Sequence, residues 1–129
     1  MTKLDELHIA GQSIWYDFIR RDMLTGSGLA DLVTSGVRGV TSNPSIFQKA
    51  ISSGTDYDRK ISALLLSNPE MSTLELYEEL AVADIRDATD VLRPVFDRTR
   101  GEDGYVSLEV NPHLAHDLGG TVDEARRLW

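Results

Sequence analysis

The chain has 129 residues, 41% hydrophobic and 26% charged, with a formal net charge of -8 at pH 7 from 13 basic and 21 acidic groups. That is the composition of one ordinary soluble domain. No basic run is present, and Arg20-Arg21 and Arg126-Arg127 are no more than pairs, which argues against nucleic-acid binding through phosphate neutralisation. The lack of cysteine excludes disulfides and thiolate metal sites. Apolar runs are only a few residues long, and the Met-Thr-Lys-Leu-Asp-Glu start carries no signal-peptide pattern. No membrane association is expected, and the cytoplasm is the expected compartment.

In chain order, Thr2 to Ile9 reads as a short helix ended by Gly11. Ser13 to Ile19, aromatic and β-branched, reads as a first strand, with Asp17 near its end. Ser27 caps a helix carrying Leu29, Leu32 and Val33, and Gly36 fits its stop. Val37 and Val40 mark a second, buried strand. Pro44 then suits the first position of a helix with Ile46, Phe47, Ala50 and Ile51 at helical spacing. Asp56 to Leu66 makes another helix. Ser72 and Glu75 stand in capping-box relation and open the longest one, reaching roughly Arg98, with Pro94 predicting a kink or an early end. Its acidic residues, Glu78, Glu79, Asp84, Asp87 and Asp90, read as a solvated face partnered by Arg86, Arg93 and Arg98. Tyr105 to Val110 alternates like a third strand, and Thr121 with Glu124 forms a second capping box for a final helix.

The order α-β-α-β-α-α-α-β-α predicts an α/β fold of about three parallel strands with crossover helices. Three parallel strands leave unpaired edges and cannot close a barrel, which takes about 250 residues for eight strand–helix units, so residues 1-129 read as part of a larger domain.

Chemistry gathers at the strand ends, where parallel α/β folds bind ligands. A carboxylate at Asp17 would be partly desolvated and able to move protons; the bland alternative is a surface acid paired with Arg20 or Arg21. Glu109 shares a strand face with Ser107 and is either an acid in a barrel interior or a solvated residue. Thr41, Ser42 and Asn43 could hydrogen-bond a polyol, or Asn43 could simply cap the next helix. His113 and His116 are a weak metal pair and read as loop residues. None of Lys3, Lys49 and Lys60 lies in an apolar strand, where desolvation would make a neutral amine nucleophile.

Three segments carry more than a class. Gln12 to Arg21, Gly36 to Phe47 with its Thr-Ser-Asn-Pro, and Val106-Ser107-Leu108-Glu109-Val110 resemble the amino-terminal part of transaldolases, closest to the long bacterial type, some of which are fused to a glucose-6-phosphate isomerase domain. The resemblance implies a TIM (β/α)8 barrel of the class I aldolase type. It also implies transfer of a dihydroxyacetone unit between sugar phosphates through a lysine Schiff base, with no metal or organic cofactor. Asp17 would move a proton at the substrate hydroxyl, Glu109 would act as acid/base in imine formation and hydrolysis, and Asn43 and Thr41 would bind the dihydroxyacetone unit. The family's Schiff-base lysine, on its fourth strand, and its phosphate-binding arginines fall after Trp129, so the 129 residues alone are expected to be inactive. His116 to Gly120 matches the family more loosely. A fructose-6-phosphate aldolase relative and a non-catalytic interaction module are the competing readings. A homo-oligomer or a fused isomerase domain is left open by the resemblance.

Overall fold

A parallel pair of short strands is the centre of the computed structural model, which describes residues 1–129. Trp15 pairs with Gly39 and Tyr16 with Val40, joining β1 (Trp15–Tyr16) to β2 (Gly39–Val40). Helix α1 (Lys3–Ile9) precedes them, closed by a Thr2–Asp5 capping box. Helices α2 (Arg21–Thr25) and α3 (Gly28–Ser35) make the crossover between the strands. Helix α3 stops where Gly36 takes φ 116°, a conformation a side chain would strain. Helices α4 (Pro44–Ser52), α5 (Asp58–Ser67) and α6 (Thr73–Thr99) follow β2. The chain then returns beside β2 and ends in α7 (Leu118–Leu128), after a 3₁₀ turn at Pro112–Leu114.

The core lies between the sheet and the long helix. Ile19, Leu29, Val40 and Phe47 meet Ala81, Ala88, Leu92 and Val95 of α6, all fully buried. Full burial of such a side chain stabilises by about 1.5–3 kcal/mol. Ala81, Ala88, Leu92 and Val95 therefore mark the inner face of α6, while Leu74, in its first turn, is exposed.

Several expectations are corrected. The first strand covers two residues rather than Ser13 to Ile19, because Arg20 turns the chain into α2 and Ile19 packs into the core. The third strand, expected over Tyr105 to Val110, reduces to one parallel bridge between Val40 and Val106, since nothing pairs with its outer edge. Pro94 does not end α6 early: it faces solvent, where the unpaired carbonyl one turn back can bond water, and the helix runs on to Thr99. Helix α7 starts at Leu118, not Thr121, because Asp117 accepts the Gly120 N–H at 2.9 Å and caps it first. The acidic face of α6 is not wholly solvated: Asp84 is 1% exposed, held by Tyr57 and Arg21 from other elements. Neither Arg86 nor Arg93 forms an ion pair.

One glycine is dictated by a side chain of the neighbouring strand. The Trp15 ring lies across Gly39, so closely that a Cβ there would collide with ring atoms Cγ, Cδ2 and Cε2. The ring cannot easily yield, because its Nε1 donates to Ser13 Oγ at 3.0 Å and that hydroxyl donates to the buried Asp103 carboxylate. Gly39→Ala is therefore expected to cost about 1–3 kcal/mol by overpacking. A denaturation midpoint equal to the parent's would overturn this account of the ring.

Candidate active site

The parallel register places the residues leaving β1 and β2 side by side. Thr41 N–H donates to Tyr16 O at 2.9 Å, so the ladder runs one residue beyond β2 and brings Thr41 level with Asp17. Thr41 Oγ1 donates to Asp17 Oδ1 at 2.6 Å. The other carboxylate oxygen accepts no hydrogen bond from the chain and the residue is exposed. Partial desolvation of Asp17, expected from its apolar strand, is thus absent here. The surface-pair alternative fails as well. Arg20 reaches Asp56 at 2.7 Å and Asp22 at 3.3 Å, while Arg21 binds Asp84 and Asp87.

Asn43 does what a residue before a helix-opening proline should. In extended conformation, it accepts the Ile46 N–H on Oδ1 at 2.8 Å and its carbonyl takes the first intrahelical bond, from Phe47. The capping alternative is realised, yet it consumes only the acceptor half of the amide. The Nδ2 group donates to no atom of the chain, so two donors remain free.

Glu109 is not hydrogen-bonded to this group. It sits on the extended segment beyond the Val106 bridge, exposed, with no hydrogen bond of its own. It lines a cleft of about 450 Å³ together with Pro44, Tyr77, Glu78, Asn111 and His113. Pro44 is shared ground: the first turn of α4 carries Asn43 at its start and walls the Glu109 cleft. Tyr77 packs edge-on against Phe47, with ring centroids 6.0 Å apart. Burial pushes its phenol up from the ordinary value, and the charges of Glu109 and Glu78 push it further. The three lysines lie on α1, α4 and α5, none in a strand. No three His, Asp or Glu side chains gather as a metal-binding group, and no helix is long and apolar enough to cross a membrane.

Ser42 was legible only as one of three polar residues, with no role of its own. It is 2% exposed, and its hydroxyl donates to Ser107 O at 2.5 Å. The signal was present in the alternation: Ser42 shares the register of core-facing Val40, and a polar residue there must bring a partner.

A parallel strand pair joined by a helical crossover, with an acid, a hydroxyl and an amide at the carboxyl ends, is an α/β arrangement of the kind that binds ligands at its strand tips. Residues 14–129 match the family described as transaldolase/fructose-6-phosphate aldolase, and the chain belongs to that family. It is 52% identical over 120 residues to a transaldolase of Thiobacillus denitrificans, covering 92% of this chain and 33% of the relative. It is 46% identical over 130 residues to transaldolase 2 of Nostoc sp., covering 100% and 34%. A transaldolase of Neisseria gonorrhoeae is 46% identical over 128 residues, covering 99% and 36%. The chain thus spans about a third of the length of these relatives.

Proposed function

We propose that these residues are the amino-terminal third of a cytoplasmic transaldolase whose whole domain is a TIM barrel. The enzyme transfers a dihydroxyacetone unit from sedoheptulose 7-phosphate to glyceraldehyde 3-phosphate, giving erythrose 4-phosphate and fructose 6-phosphate, a reaction of the pentose phosphate pathway. The nucleophile is a lysine amine outside residues 1–129, which forms a Schiff base with the substrate carbonyl. What this chain contributes is proton handling and orientation. Asp17, held at Oδ1 by Thr41, keeps Oδ2 open to take the proton of the substrate hydroxyl as the carbon–carbon bond breaks, and returns it in the reverse condensation. The Asn43 Nδ2 group donates to the dihydroxyacetone hydroxyls while its oxygen stays on the helix, which fixes the amide's orientation before substrate arrives. Glu109 moves protons through a water as the imine forms and is hydrolysed. The observation that carries this reading is the Asp17–Thr41 pair at the strand tips of a chain matched to this family over residues 14–129.

Borohydride trapping with fructose 6-phosphate tests it. The full-length protein should gain a covalent adduct on a lysine outside residues 1–129, and the 129-residue chain should gain none. An adduct on Lys49 or Lys60 would sink the assignment, and no adduct in either protein would favour a non-catalytic module. The family also includes fructose-6-phosphate aldolases, so products must be read too: transfer to erythrose 4-phosphate supports transaldolase, whereas release of free dihydroxyacetone supports the aldolase.

A further inference from the structure

The third strand is attached to β2 in an unusual way at the mouth of the site. Val40 N–H donates to Tyr105 O and Ser107 N–H donates to Val40 O, both at 3.0 Å, as a parallel ladder requires. The next bond of that ladder would run from Ser42 N–H to Ser107 O. Instead the two serines exchange side-chain bonds: Ser42 N–H donates to Ser107 Oγ at 3.2 Å, and Ser42 Oγ donates to Ser107 O at 2.5 Å. One backbone bond is replaced by two bonds that each include a hydroxyl, so register is kept while the backbones separate. Toward the other strand the backbone bond from Thr41 N–H to Tyr16 O is kept, and Thr41 Oγ1 adds a bond to the Asp17 carboxylate. Residues 41 and 42 thus brace the mouth in opposite directions, one hydroxyl to each neighbouring segment.

Resting on the transaldolase reading, we propose that Ser42 and Ser107 are a positioning pair that sets the distance between Glu109, two residues beyond Ser107, and the Asp17–Asn43 corner. The burial of Ser42 makes the brace stiff, because no water can substitute for its hydroxyl. Neither serine touches the reacting atoms; each acts through the segment it holds.

The test is a double-mutant cycle in the full-length protein with Ser42→Ala, Glu109→Gln and their combination. Ser42→Ala should lower kcat about tenfold or more, by misplacing Glu109, and leave KM for fructose 6-phosphate within about twofold. In the Glu109→Gln background the same change should cost less than about twofold, because the group being aligned no longer transfers a proton. Equal losses in both backgrounds, or parent-like kcat in Ser42→Ala, would overturn the proposal. If Ser42→Ala gives no cooperative melt, Ser107→Ala is carried through the same cycle with the same criteria. A parent protein with neither turnover nor a borohydride adduct overturns the transaldolase reading itself, and this proposal with it.

Discussion

Glu109→Gln in the full-length protein should slow turnover about 10²-fold or more, with a much smaller change in KM. Glutamine keeps the size and hydrogen-bonding reach of the side chain but cannot carry a proton, so the loss falls on steps that need transfer rather than on binding. The placement of Glu109 suits that task. It accepts no hydrogen bond from the chain, so both oxygens are open to a water or a substrate. It shares its cleft with Pro44, the residue after Asn43, so the proposed acid/base and the proposed hydroxyl-binding amide flank the same helix start. Turnover within a few-fold of the parent would make Glu109 a wall of the cleft and nothing more.

Caps and periodicity were the legible part of this fold. Asn43-Pro44, Gly36 and the Ser72–Glu75 box act locally, through bonds between residues three or four apart, and each sits where its sequence places it. Strand length was not legible in the same way. Whether Tyr105 to Val110 forms a ladder depends on a neighbour at its outer edge, and no residue within the segment encodes one. Helix α2 has no local signature: its five residues carry no side-chain cap, and its docking depends on the Arg21 guanidinium, whose partners lie more than 60 residues away on α6. The start of α7 was misplaced because two capping signals compete, and Asp117 precedes Thr121.

The site divides along the same line. Asp17 and Thr41 meet because strand register does, which a parallel reading of two short runs already implies. The Ser42–Ser107 exchange depends on how far two backbones separate, which alternation cannot give. Asp84 was hidden for a different reason. Among five acids on one helix, nothing local marks the one that turns inward, because the tyrosine and the arginine that hold it belong to α2 and to the segment before α5.

That buried carboxylate should give the largest stability effect. Asp84 Oδ2 accepts from the Tyr57 hydroxyl at 2.6 Å, Oδ1 faces Arg21 Nε at 3.1 Å, and Tyr57 in turn accepts the Arg21 N–H at 3.0 Å. Arg21→Met keeps much of the apolar stem and deletes the cation, leaving a charge with one partner in a site that is 1% exposed. The expected cost is about 3–5 kcal/mol at neutral pH. Burial already pushes the Asp84 carboxyl above the ordinary 3.8, against the pull of the Tyr57 hydroxyl and the Arg21 charge. The native state therefore binds this proton more tightly than the unfolded chain does, and the group's contribution to stability falls as pH rises from about 3.8 through its native value. Removing Arg21 raises that native value further, so the penalty should be greatest at neutral pH and shrink on acidification. Adding Asp84→Asn should recover most of the loss and flatten the pH dependence, since the uncompensated charge is gone. Denaturation midpoints across pH decide the matter. A penalty below about 1 kcal/mol, or one that does not change with pH, would reduce Arg21–Asp84 to an ordinary surface pair. The link between α2 and α6, behind the segment that follows Asp17, would then rest on apolar packing alone.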